Sequence, residues 1–310
     1  MQMGVTKMKR HMRHCVARWN AFPIFWYLTI EYDMPFYGQE EGFDEKANVN
    51  NWMEVGRYFR RINPLRRPVS LQSWTTRASS RFNLPEPTLI DFDSMQIGSN
   101  DSFTISEMAE CLPQALKIEP RMPVLAADQC YEGLNEANWA NIQILAFWGA
   151  LLSGSAGYTY GANGIWQFNR EPHDFGPAPS GIAWGGRGWR EAIHFPGAEQ
   201  IARSKKLLET YPFHQLEPHP EWFVGQGWGP PAFAGGIPDG PRFFFLTFGR
   251  HRATIRGLDP EVTYKARWYD PVRFGETSAG SIQGDENGEV ACPVPPVRQP
   301  HVLILEPSKT

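Results

Sequence analysis

Two acidic residues stand where a dense apolar run turns polar. The run from Pro23 to Ile30 ends at Glu31, with Tyr32 and Asp33 behind it, and the run from Met122 to Ala127 ends at Asp128, followed by Gln129, Tyr131 and Glu132. Apolar runs of this length, bounded by proline, are expected of strands buried on both faces. In a barrel of parallel strands the carboxyl ends of the strands face the substrate bowl, where carboxylates act as general acid, general base or nucleophile. Acidic residues after a strand also occur in ordinary solvated loops, so the surrounding elements decide between the two.

Those elements alternate. Residues 5–19 place Val5, Met8, Met12, Cys15, Val16 and Trp19 at helical spacing opposite a basic face. His11 and His14 stand on that face without a third ligand nearby, which favours solvation over a metal pair. After the strand ending at Glu31, the pattern predicts a helix at about 51–62, a strand over 67–74 and another over 89–99, the last offering Asp91, Asp93 and Gln96 to a pocket. A helix over 104–117 leads to the strand ending at Asp128. A helix over 138–154, a strand over 155–163 carrying Tyr160, and a helix over 189–209 complete the series. Strands alternating with helices indicate a parallel sheet with crossover helices.

Glu31 and Asp128 are 97 residues apart, the length of three βα units of roughly 30 residues each. Placed on the fourth and seventh strands of a (β/α)8 barrel, they would have the spacing of a common retaining-glycosidase arrangement. A long loop over 158–189, rich in Gly and Pro, carries Trp166, Trp184 and Trp189. Loops this long inside a compact domain are usually functional, although its indoles could equally pin it to the barrel rim.

From about residue 217 the character changes to short β segments at 241–248, 253–258, 263–271, 288–294 and 301–307, separated by turn residues. That spacing predicts an antiparallel β-sandwich. The expected organisation is therefore α/β plus all-β, with a barrel-type domain over 1–216 and a sandwich over 217–310. The proline-stiffened connection predicts a sandwich packed on the barrel rather than tethered to it.

Composition narrows the function classes. The 310-residue chain has a formal net charge of −3 with scattered Lys and Arg, which gives no basis for a nucleic-acid or acidic-membrane partner. Aromatic residues make up 14%, with twelve Trp, and indole rings provide apolar platforms for sugars as well as core packing. Cys15, Cys111, Cys130 and Cys292 lack metal-ligand spacing and read as mostly buried thiols. No cofactor or metal is implied. No apolar run reaches the roughly 20 residues of a membrane span, and no signal-peptide core opens the chain, which leaves cytoplasmic and exported locations both open.

Several stretches carry a resemblance. RWNAFPIFWYLTIEYDMP, RMPVLAADQCYEGL, LSGSAGYTYGANGIWQF, PGAEQIARSKKLLE and LEPHPEW resemble the apiosidase-like glycoside hydrolases, which are (β/α)8 barrels. YKARWYDPVRFGE and PPVRQPHVLILE are similar to the small β-sandwich, named for collagen binding, that follows such barrels. The resemblance implies cleavage of O-glycosidic bonds in polysaccharide side chains, with Glu31 as acid/base and Asp128 at the nucleophile position. It also implies substrate contacts from Glu132, Tyr131, Gln96, Tyr160, Trp166 and Trp184, and a carbohydrate as the partner.

The departures from that family pattern are specific. Ile30 replaces the glycine before the acid, Asp128 replaces a longer acid, and Gln72 and Ser99 stand where histidines are expected. Only five barrel strands can be counted, so the first three are expected to be absent. A shortened nucleophile sits about 1.5 Å further back. The expectation is therefore either a hydrolase of reduced activity or a non-catalytic sugar-binding descendant, with matrix adhesion through the sandwich as a third reading.

Overall fold

The structure is a computed structural model that describes residues 3–34, 44–74, 79–99, 101–170, 184–227, 231–247 and 250–308. Helix α1, Gly4–Trp19, buries Met8, Met12, Cys15 and Val16 along the stripe its sequence spacing predicts. Strand β1, Trp26–Tyr27, follows. Helix α2, Glu45–Ile62, starts about a turn and a half before its predicted start, because Asp44 caps it by accepting a hydrogen bond from the Ala47 amide at 2.9 Å. The apolar stripe does not mark the first turns of this helix, which are mostly polar.

Strands β2, Val69–Ser70, and β3, Gln72–Ser73, are the two halves of one extended segment. Strand β4, Asp93–Met95, helix α3, Asp101–Ala115, strand β5, Val124–Ala126, helix α4, Ala140–Leu152, and strand β6, Gly157–Tyr158, continue the alternation. All pairings among these strands are parallel and run in sequence order: β1 with β2, then β3, β4, β5 and β6. Backbone bonds from Leu28 N to Ser70 O and from Tyr32 N to Gln72 O join the two groups into one surface. Among the described residues this sheet is open, with β1 and β6 at its edges.

The single helix predicted over 189–209 is two: α5, Trp189–Ala192, and α6, Pro196–Leu208. Pro196 has no amide hydrogen to continue the first helix and a backbone angle suited to starting the second. Residues 171–183 of the predicted long loop lie outside the described residues.

The C-terminal region forms two antiparallel sheets. Its strands are β7, Glu217–Pro218; β8, Phe223–Gly227; β9, Phe233–Gly236; β10, Arg242–Leu246; β11, Arg250–Ile255; β12, Tyr264–Tyr269; β13, Glu276–Ile282; β14, Val290–Ala291; and β15, His301–Pro307. One sheet has the order β13-β12-β15-β10-β9-β7 and the other β14-β11-β8. Strand β13 escaped the sequence reading because its ETSAGSI sequence is polar and almost wholly exposed, as an edge strand allows.

Alternation along the central strands joins the two halves of the molecule. Phe244, Leu246, Leu303 and Leu305 fill the core between the two sheets. Phe243, Phe245, Val302 and Ile304 point the other way, into a core shared with Ile144, Phe147, Trp148 and Leu151 of α4. The central strands of the larger sheet are thus buried on both faces and dock directly on the helical layer of the parallel sheet.

Candidate active site

The segments leaving the carboxyl ends of β1, β3, β5 and β6 converge on one cavity of about 400 Å³. Its wall includes Tyr27, Ile30, Tyr131, Tyr160, Ile165 and Trp166, and its polar groups include Gln72, Asp128 and Thr159. A small recess with four aromatic side chains and a few convergent polar groups is the form of a small-molecule site.

Asp128 follows β5 and is fixed from three sides. Gln72 Nε2 donates to its Oδ2 at 2.6 Å, and the Tyr131 hydroxyl donates to its Oδ1 at 2.5 Å. Its own amide donates to Thr159 Oγ1 at 2.9 Å, which ties the turn to the end of β6. The residue lies at φ +56°, a left-handed conformation that Asp adopts more readily than longer side chains.

Gln72 is itself oriented. Ser94 Oγ donates to Gln72 Oε1 at 3.3 Å, which commits the serine proton, so the Tyr27 hydroxyl, 3.1 Å away, must donate to Ser94. Burial pushes the Tyr27 pKa up; the Ser94 hydrogen bond opposes this and the Asp128 charge adds to it. A relay of directed hydrogen bonds therefore runs from Tyr27 through Ser94 and Gln72 to Asp128. Gln96, after β4, joins it weakly, accepting from Gln72 Nε2 at 3.4 Å.

Glu31 follows β1 at the same end of the sheet, half-buried and at φ +50°. Its neighbour Ile30 lines the cavity, whereas Glu31 itself is not among the lining residues. The turn that carries it is anchored: Tyr32 N donates to Gln72 O, and Asp33 accepts from Ser73 Oγ at 2.5 Å and from the Trp74 amide at 2.9 Å.

Of the remaining residues expected to contact substrate, Tyr131, Tyr160 and Trp166 line the cavity. Glu132 is fully buried behind it, accepting from the Tyr160 hydroxyl at 2.6 Å and from the Gly197 amide at 3.0 Å. Burial pushes the Glu132 pKa up, against both of those bonds. Trp184 uses its carbonyl to accept from Asn163 Nδ2 at 2.7 Å and is not a lining residue. Asp91 and Asp93 do not serve the pocket, contrary to expectation. Asp91 pairs with Arg60 at 2.8 Å, and Asp93 is fully buried, accepting from Ser79 Oγ and the Ser80 amide with Arg81 at 3.4 Å.

Thr159 and Ser94 went unnoticed in the sequence. Gln72 did carry a signal, as a polar residue inside an otherwise buried strand. Among the described residues, no group of three or more His, Cys, Asp or Glu could hold a metal ion, and no helix is long and apolar enough to cross a membrane.

Residues 1–215 match the family described as apiosidase-like, catalytic domain. The chain belongs to this family. The matched span includes every residue of the cavity wall and the Gly197 amide behind it.

Two solved structures share the fold of this apiosidase-like chain. One is a glycoside hydrolase, 19% identical with a TM-score of 0.78 over 97% of this chain and 69% of its own. The other is a glycoside hydrolase family 5 protein from Bacteroides vulgatus ATCC 8482, 17% identical with a TM-score of 0.76 over 98% of this chain and 67% of its own. The shared fold thus runs past the apiosidase-like domain into the C-terminal sheets. No curated protein matches the chain.

Proposed function

We propose that this chain is a glycoside hydrolase that removes a terminal sugar from a polysaccharide side chain, with Asp128 as the carboxylate facing the anomeric carbon and Glu31 as the proton donor to the leaving oxygen. The observation that carries this reading is the Asp128 carboxylate, held by Gln72 and Tyr131 in a small aromatic recess at the strand ends. Family membership and the fold of the glycoside hydrolase neighbours support it.

In this reaction Glu31 protonates the glycosidic oxygen as the bond breaks. Asp128 either attacks the anomeric carbon or activates a water molecule. Carboxyl groups about 5 to 5.5 Å apart act by the first route, with retention, and those about 6.5 to 9.5 Å apart by the second, with inversion. The Tyr27–Ser94–Gln72 relay keeps the Asp128 carboxylate from rotating as charge develops, so the reacting geometry is set before the substrate arrives.

The same reading makes the parallel strands a sector of a (β/α)8 barrel, over 1–216, with the sandwich over 217–310 as a second domain. Among the described residues no strand pairs with the outer edge of β1, and Phe22 and Phe25, just before it in the chain, are more than half exposed.

One observation favours a second reading. Glu31 is not among the residues that line the cavity, as expected of a descendant that binds sugar without cleaving it. Assay of the unmodified chain, Glu31→Gln and Asp128→Asn against pentose and hexose aryl glycosides separates the two. Turnover that both substitutions abolish supports the hydrolase, turnover that survives Glu31→Gln removes that residue from the mechanism, and sugar binding without turnover supports the second reading.

A further inference from the structure

The turn over 164–169 has a feature that the cavity does not explain. Gln167 and Asn169 are buried, and both are fastened. Gln167 Oε1 accepts from the Gly164 amide at 2.7 Å. Asn169 Nδ2 donates to the Arg187 carbonyl at 3.2 Å, and the Asn169 carbonyl accepts from the Trp189 amide at 2.8 Å. Phe168 lies between them at φ +54°, a conformation that side chains with a β-carbon adopt only when their surroundings hold them there. It is 64% exposed.

An aromatic ring held outward at a strained position, by a turn whose two flanking side chains are locked inward, is a built surface rather than a frayed loop. The ring is also supported. Phe168 stacks on Trp189 with centroids 5.7 Å apart and planes within 4° of parallel, and the Arg190 guanidinium lies over the same indole at 4.7 Å. Trp189 is therefore occupied as a base, and Phe168 is the ring offered to solvent.

The ring is carried by the same turn as part of the cavity wall. Ile165 and Trp166, from the same turn, line the cavity while remaining 40% and 43% exposed. A cavity of about 400 Å³ is at the small end of the range for ligand pockets, roughly 300–1,000 Å³. It takes the end of a glycan, and the rest of the chain must leave across its mouth.

We infer that Trp166 and Phe168 form a stacking platform outside the cavity for sugar rings on the leaving-group side of the scissile bond, so that this chain selects polymeric glycans over short glycosides. The apolar C–H face of a sugar ring matches a flat aromatic face. A turn held rigidly before binding loses little conformational freedom when the glycan docks. The inference rests on the glycosidase reading for which side of the bond the platform serves, but the binding itself does not require turnover.

The test uses the full chain carrying Asp128→Asn, run by affinity electrophoresis through gels containing xyloglucan, arabinoxylan or β-mannan. The expected result is retardation by at least one of these polymers. Phe168→Ala and Phe168→Leu should each weaken it by roughly threefold to tenfold, the range of a single aromatic stacking contact. Phe168→Trp, which restores a flat ring, should retain it. Retardation unchanged by Phe168→Ala, or absent with all three polymers, overturns the inference. Sugar release from the same polymers by the unmodified chain, measured separately, decides the glycosidase reading: Phe168-dependent retardation without release leaves the binding surface in place and removes the hydrolase.

Discussion

Gln72 Nε2 lies 2.6 Å from Asp128 Oδ2, although 56 residues separate the two in the chain. The contact exists because β3 and β5 flank β4 in one parallel sheet, and Ser94 on β4 fixes the direction of the glutamine amide. Removing the amide in Gln72→Ala frees one carboxylate oxygen. The expected result is a fall in kcat on the order of tenfold to a hundredfold, since a misplacement of about 1 Å at a reacting group costs about that much. Steady-state kinetics on the best aryl glycoside checks it, and an unchanged kcat would show that Tyr131 alone positions Asp128.

Lengthening the acid is expected to harm rather than help. Asp128→Glu extends the side chain past both of its hydrogen-bond donors, and it places a longer side chain at φ +56°. Lower turnover than the unmodified chain is the expected outcome, and a higher rate would show that the shorter acid limits the reaction.

Gly197 leaves no room for a β-carbon. An added Cβ would lie 2.3 Å from Glu132 Oε2 and 2.9 Å from Gln143 Cγ. Gly197→Ala should destabilise the fold by about 1–3 kcal/mol and loosen Tyr160 through Glu132. Denaturant unfolding measures the first effect, and a raised KM on aryl glycosides measures the second.

Burial holds the Glu132 carboxyl above its usual range, so the folded state binds this proton more tightly than the unfolded state does. Its contribution to stability is then fully present below the unfolded value near 4.5 and is lost as pH rises through the folded value. Relative to Glu132→Gln, the unmodified chain should lose stability as pH rises from there. Urea titrations of both proteins between about pH 4 and 8 test the sign, and a difference that does not change with pH would contradict it.

Trp148 is fully buried on α4, with its ring centroid 6.2 Å from that of Phe245 and 6.3 Å from that of Tyr269. Trp148→Ala should cost about 3–5 kcal/mol. Calorimetry should also split a single unfolding transition into two, because the substitution opens the core shared by the two halves. One sharp transition at a lower temperature would show that the remaining contacts suffice to couple them.

The sequence alone carried the local part of this protein. The stripe of α1, the apolar run ending at Asp128, and the change to short β segments after residue 217 are local signals written by neighbouring residues, and each survives in the structure. The run ending at Glu31 does not form the strand buried on both faces that its composition predicts: β1 is confined to Trp26–Tyr27, Leu28 is buried, and Phe25 and Ile30 are exposed. Alternation in Arg242–Leu246 and His301–Pro307 also encoded two apolar faces, though not what each would cover. Tertiary structure decided what each polar side chain does. Glu132, four residues from Asp128, lies sealed behind Tyr160, whereas Gln72, far away in sequence, grips the Asp128 carboxylate. Phe168 faces solvent because Gln167 and Asn169 are tied down beside it. Register between strands distant in sequence, and hydrogen bonds across them, set these outcomes, and no local propensity contains them.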